Sequence, residues 1–357
     1  VLQAALAAAV LGFLPVVLLA GALLHAGSFA GSLFDFGIFE HASQRVIVGE
    51  SPYPDPDALP GEGGYLYPPL LAWVVAPLAA LTTGVAAQVI FTLLTMAAVS
   101  AALLLLGVRD WRCHGAAFIG GPMIYSFYLG TAVPLLLLGI AVAWRLRERR
   151  PVTAGVVIGL VVALKPFLWP LLFFPLLRRQ LVVGLVAAAA GALAVLVSWA
   201  AIDFAGFGVY PDLLRAVTEQ RAPESYSLTA VLNALGLPLT AASVLALAAG
   251  LGVLVYAFRR VTTGEPRGDA LALGLCLTVA LVASPIVWSH YLVLLLVPIA
   301  LAAPRFGAIW LAPVALHLVP DPSWSGGELS TIAPLFLAAG LMLVWAVLPR
   351  SRSPMPA

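Results

Sequence analysis

Asp35 stands between Phe34 and Phe36, soon after a long apolar run, a setting in which a carboxylate loses part of its hydration. Desolvation makes a carboxylate hold its proton more tightly, so it becomes an efficient proton acceptor near neutral pH. Asp35 is therefore a candidate general base. The same position suits an acid that caps a helix starting near Phe36, a common use of aspartate. Lys165 is the second candidate: it is the only lysine of the chain and lies between two apolar runs, apart from the arginine clusters. Ionisable groups at membrane depth mark functional sites, although a lysine can also snorkel toward the headgroups without chemical duty. His290 follows Pro285, close to Trp288 and Tyr291. It can donate to an anion or a sugar, or serve as an ordinary interfacial histidine.

Other side chains suit a supporting role. Tyr65, Tyr67, Trp288 and Tyr291 fit either stacking on a sugar or an aromatic belt at the membrane interface. Glu40 in the first polar stretch, and Arg215, Arg221 and Glu224 in the second, are placed to meet a sugar or an acceptor. Asp55-Pro56-Asp57 has the form of an Asp-x-Asp metal motif, but Pro54, Pro56 and Pro60 around it indicate an irregular exposed loop, so no metal is expected. Cys113 and Cys276 lack motif spacing. His25, His114 and His317 are single histidines near helix ends and read as interfacial.

These groups must be positioned by membrane helices. Of 357 residues 62% are hydrophobic and 10% charged, and the apolar residues come in runs able to cross ~30 Å of hydrocarbon. A soluble fold is excluded. The run from Val1 to about His25 is too long for a signal-peptide core and has no basic start, so it reads as a first transmembrane helix, with a short leader expected before Val1. The expected helices are 2–26, 67–82, 85–107, 115–144, 152–164, 166–177, 181–201, 239–258, 270–284, 290–303, 306–319 and 329–348. The expected fold is an all-α integral membrane protein, a polytopic bundle of about twelve transmembrane helices forming one domain over 1–357. Gly120, Gly121, Pro122, Gly130 and Pro134 interrupt the run 115–144, which is expected to be one broken or tilted helix. Residues 152–164 and 166–177 are short and form a pair turned at Pro166. Ala187 to Gly191 reads as close helix packing.

Charge supplies an orientation. The polar stretches 27–66, 203–227 and 320–328 hold twelve acidic residues against Arg45, Arg215 and Arg221. The links 145–150, 178–180, 259–269, 305 and 350–352 hold twelve arginines against Glu148, Glu265 and Asp269. Short arginine-rich loops stay in the cytoplasm, so the larger loops 27–66 and 203–227 face outward. That counting leaves Arg109-Asp110-Trp111-Arg112 outside, against the charge bias.

An ordered set of motifs resembles glycosyltransferase family 87 of the GT-C superfamily. It comprises Asp35, then Gly49-Glu50-Ser51-Pro52-Tyr53, then Tyr65-Leu66-Tyr67-Pro68-Pro69-Leu70 followed by Pro77-Leu78. Leu164-Lys165-Pro166 with Leu177-Arg178-Arg179, Ser227-Leu228 at a helix start, and Ala283-Ser284-Pro285-Ile286-Val287-Trp288-Ser289-His290-Tyr291 complete it. Thr131 and Tyr226 stand where glutamine is usual in that family.

The resemblance implies a GT-C-like enzyme of the cytoplasmic membrane, resembling mannosyltransferases that depend on polyprenyl-phosphate mannose. It would pass a hexose, typically mannose, to a lipid or glycan hydroxyl on the outer face. It implies Asp35 as base with inversion at the anomeric carbon, and Lys165 and His290 near the donor phosphate. The partners are then the polyprenyl-phosphate sugar, the acceptor and membrane lipids, with no nucleic acid and no cofactor. The absence of a nucleotide-binding glycine loop agrees with a lipid-linked donor. A transporter or flippase of a lipid-linked saccharide is the alternative, but such proteins show repeats and polar groups at the midplane. Here the polar residues gather in loops and at helix ends.

Overall fold

The computed structural model describes residues 33–53, 64–261 and 266–316. Among these residues the regular structure is entirely helical. The helices are α1 Phe34–Ile47, α2 Pro69–Leu81, α3 Gly84–Leu105, α4 Trp111–Phe118, α5 Gly121–Leu129, α6 Val133–Leu146 and α7 Pro151–Leu164. A 3-10 helix, Pro166–Leu172, runs into α8 Phe173–Leu177, followed by α9 Leu181–Ala200, α10 Tyr210–Arg221, α11 Leu228–Ala234, α12 Leu239–Arg260 and α13 Pro266–Ala283. A second 3-10 helix, Ser289–Leu295, leads to α14 Leu296–Ala302. The expected helices 2–26 and 329–348, the stretch 320–328, Asp55, Asp57, His25 and His317 lie outside the described residues.

Among the described residues four helices, α3, α9, α12 and α13, are long and apolar enough to cross a membrane. At 1.5 Å per residue the 22 residues of α3 or α12 cover about 33 Å. The flanks of α9 and α12 expose Leu181, Val182, Leu185, Val244 and Leu245. Side chains of this kind belong against lipid, where leaving them unburied by protein costs nothing. The expected spans 67–82, 152–164, 166–177 and 290–303 appear as shorter apolar helices.

The stretch 115–144 is broken, one of the two expected forms, and not tilted as a single helix. Its parts α5 and α6 meet at 118°, hinged at Gly130, which adopts φ +68°. Arg109–Arg112 lie at the other end of the bundle from the one expected. Asp110 caps α4 and accepts a hydrogen bond from the Phe306 amide at 3.0 Å, while the Arg112 guanidinium lies 5.3 Å from the Phe306 ring. This link therefore shares an end of the bundle with Arg305, one of the arginine-rich links, and does not sit at the opposite end. The turn at Gly130 accounts for the error, because it splits one expected crossing into two legs.

Small residues let backbones touch where α7 crosses α9. A Cβ on Gly159 would meet the Ala187 carbonyl, and one on Gly191 would come within 2.9 Å of the Gly159 carbonyl. This is the close packing expected around Ala187–Gly191. At one end of the bundle Asp269 of α13 pairs with Arg147 at 3.3 Å and with Arg178 at 3.1 Å, and Glu148 also pairs with Arg178. This ionic knot ties the ends of α6 and α8 to the start of α13. Elsewhere, α1 packs on α2 and α3: Ser43 donates to the Ala72 carbonyl at 2.9 Å, and the Phe36 and Phe91 rings lie 4.6 Å apart.

Candidate active site

Lys165 occupies the break between α7 and the 3-10 helix. Proline lacks an amide hydrogen and forces the preceding residue out of the helical region, and Lys165 accordingly adopts φ −145°, ψ 94°. The break leaves an ammonium in the interior, with the residue 4% exposed. Its Nζ lies 3.9 Å from the centre of the Tyr291 ring, 5.2 Å from that of Tyr67 and 5.7 Å from that of Phe167. Phe167 stacks on Tyr291 with centroids 4.7 Å apart. Among the described residues Nζ has no carboxylate partner in direct ion-pair contact. Ring faces attract a cation, but a buried charge without a counter-ion is costly.

Asp35 is the second residue of α1, in the first turn, where the helix dipole favours a negative charge. It does not cap the helix. The cap position is Leu33, in the left-handed conformation at φ +58° and without a side-chain cap hydrogen bond. Asp35 is half-buried, so part of the residue still meets solvent although its surroundings are crowded. It lies outside the four spanning helices. Burial raises the carboxyl above the ordinary carboxylate range, and the nearby Lys165 charge acts in the opposite direction. The Asp35 charge is also felt by Tyr67 and Tyr291, whose hydroxyls interact with each other.

His290 is the second residue of the second 3-10 helix, placed there by the irregular segment that follows α13. It is 3% exposed, and its Nδ1 has no hydrogen-bond partner among the described residues. Its ring lies 4.9 Å from that of Tyr291 and 6.1 Å from that of Tyr125. The segment is clamped by the polar stretch before α11. Ser227 caps α11 and donates to the Pro285 carbonyl at 2.8 Å, while the Tyr226 amide donates to the Val287 carbonyl at 2.7 Å. Ser225 adds a hydrogen bond to Ser227 at 2.9 Å.

Asp35, Lys165, His290, Tyr67 and Tyr291 thus form one neighbourhood. Tyr65 lies deeper: its hydroxyl donates to the Pro68 carbonyl at 2.7 Å and accepts from the Ala72 amide at 2.9 Å. Tyr53 and Tyr210 staple the same strip, donating to the Tyr67 and Leu66 carbonyls at 2.8 and 3.1 Å. Glu40 accepts from the Gly84 amide at 3.2 Å. Trp288 packs on the main core. Arg215 is exposed and pairs with Asp212 at 2.8 Å, and Arg221 pairs with Glu224 at 3.1 Å.

Sequence reasoning passed over Phe167, Tyr125 and the Ser225–Pro285 clamp. Phe167 directly follows Lys165-Pro166, and that adjacency was the available signal. The clamp joins residues about sixty positions apart and left no local signal.

The profile of glycosyltransferase family 87 matches residues 65–285, which include Lys165 and stop short of Asp35 and His290. A relative from Mycolicibacterium smegmatis (strain ATCC 700084 / mc(2)155) is 27% identical over 366 residues, covering 87% of this chain and 81% of its own. That relative is a polyprenol-phosphate-mannose-dependent alpha-(1-2)-phosphatidylinositol mannoside mannosyltransferase. No solved structure matches the chain.

Proposed function

This chain belongs to glycosyltransferase family 87, and we propose that it transfers mannose from a polyprenyl-phosphate donor to a hydroxyl of a lipid or glycan acceptor. It is a membrane glycosyltransferase of the kind that depends on a polyprenyl-phosphate sugar. The reaction takes place at the outer face of the cytoplasmic membrane and inverts the anomeric carbon. A phosphatidylinositol mannoside is the acceptor class that the relative's name suggests.

One observation carries this reading: a buried ammonium that makes no ion pair among the described residues, Lys165, adjoins a buried histidine whose Nδ1 has no hydrogen-bond partner among them. Both can donate to phosphate, and a phosphate there would supply the missing counter-charge. Asp35 senses Lys165 electrostatically but does not pair with it directly, as expected of a base and a leaving-group partner that act on opposite sides of a sugar. The acceptor oxygen forms a bond to the anomeric carbon as its proton passes to the Asp35 carboxylate. The bond from that carbon to the phosphate oxygen breaks, and polyprenyl phosphate departs with the electron pair. Lys165 and His290 stabilise the departing anion, while Asp35 stabilises the positive charge that develops on the sugar ring. The Tyr67 and Tyr291 rings wall the site.

The experiment is sugar transfer from a panel of radiolabelled polyprenyl-phosphate sugars by the purified protein in lipid vesicles. Transfer with mannose preferred supports the reading. Movement of intact donor across the bilayer, with transfer from none of the donors, would replace it with a flippase.

A further inference from the structure

The hinge between α5 and α6 touches the start of the helix that bears Asp35. The Leu33 amide donates to the Tyr128 carbonyl at 2.6 Å, fixing the residue that begins α1 to the last turn of α5. Gly130 lies directly against the first turn: a Cβ there would come 2.8 Å from the Phe36 Cβ, 3.0 Å from Leu33 Cδ2 and 3.4 Å from the Phe36 amide nitrogen. The first and last of these atoms belong to or adjoin the backbone of α1, so no side-chain rotation relieves the contact. Gly130 also has φ +68°, where a side chain adds strain. The hinge itself is braced. Ser126 and Thr131 hydroxyls are 2.6 Å apart, the Thr131 amide donates to the Ser126 carbonyl at 3.0 Å, and the Val133 amide reaches Thr131 Oγ1 at 3.4 Å.

From this arrangement we infer that Gly130 is a positioning residue for Asp35: the braced hinge is a seat of fixed height that sets where the carboxylate stands relative to Lys165. The inference rests on the proposed role of Asp35 as base. Gly130 touches Leu33 and Phe36, the residues that flank Phe34-Asp35, so a displaced first turn moves the carboxylate while Lys165 and His290, held on other elements, keep their places. Donor binding then survives and proton removal suffers.

The test compares Gly130→Ala with Gly107→Ala in lipid vesicles, measuring kcat, donor KM and thermal midpoint. Gly107 also has positive φ, +95°, but a Cβ there meets nothing within 4 Å, so its substitution reports backbone strain alone. The expected result is a fall in kcat of about 10- to 100-fold for Gly130→Ala, with donor KM within about twofold of wild type, and near wild-type kcat for Gly107→Ala. Thr131→Val, which removes the two hydroxyl contacts of the brace without adding a clash, should lower kcat severalfold at unchanged KM and decides the matter should Gly130→Ala not fold. Wild-type kcat in Thr131→Val and any folded Gly130→Ala overturns the inference, as does loss in Gly130→Ala matched by Gly107→Ala. A wild-type protein that transfers no sugar would instead overturn the reading of the enzyme itself.

Discussion

The ammonium of Lys165 lies 3.9 Å from the centre of the Tyr291 ring, in an interior where Asp35 is the carboxylate that acts on it. Aromatic faces and a carboxylate held out of direct contact balance such a charge only in part, and an anion such as a phosphate would complete the balance.

Replacing Lys165 with methionine should therefore separate stability from function. Lys165→Met keeps the volume and removes a buried charge, so the thermal midpoint in detergent should stay level or rise. The kcat/KM for the donor should fall by about 10²- to 10³-fold. A destabilised but active variant would show that the lysine is structural.

The pH profile should carry the mark of Asp35. As a base it acts only when ionised, and burial raises its proton affinity. Activity should thus drop as pH falls through a midpoint above the ordinary carboxylate value of about 4. Initial rates at saturating donor across the acidic range give that midpoint, and one at or below the ordinary value would contradict the assignment.

Tyr65 and Tyr67 should behave differently although they are two residues apart. Tyr65→Phe orphans the Ala72 amide and leaves the Pro68 carbonyl with the Leu71 amide alone, at a cost of about 1–3 kcal/mol, and should lower the thermal midpoint with kcat nearly unchanged. Tyr67→Phe touches the ring wall beside Lys165 and should lower kcat more than stability. Paired unfolding and transfer measurements on the two variants test this.

At the far end of the bundle, Asp269→Ala leaves Arg147 and Arg178 with Glu148 as their one carboxylate partner among the described residues. Removing one member of a buried ion pair typically costs about 3–5 kcal/mol. Thermal unfolding should show a loss on that scale.

That Asp35, Lys165 and His290, which the fold gathers into one neighbourhood, stand out was legible from residue type. A lone lysine before proline, an aspartate between phenylalanines and a histidine beside tryptophan and tyrosine each announce a polar group where water is scarce. The four long spans were legible because apolar runs of that length have few other uses. The hinge at Gly130 was not, since glycine and proline inside an apolar run signal a break without giving its angle. The side on which Arg109–Arg112 lies followed from that angle, and the charge bias pointed to the correct end. The division between Tyr65 in the scaffold and Tyr67 at the site was also hidden. Their spacing is the same as in any extended strip, and only contacts with distant residues such as Tyr53, Tyr210 and Tyr291 distinguish them.

The central claim is that Asp35 removes the acceptor proton while other residues hold the donor. Its most direct test is to measure binding of radiolabelled polyprenyl-phosphate mannose and sugar transfer in the same preparation of folded Asp35→Asn protein. The account predicts donor binding near the wild-type level, with transfer reduced by about 10³-fold or more. Transfer at a wild-type rate, or loss of donor binding in step with loss of transfer, would contradict it.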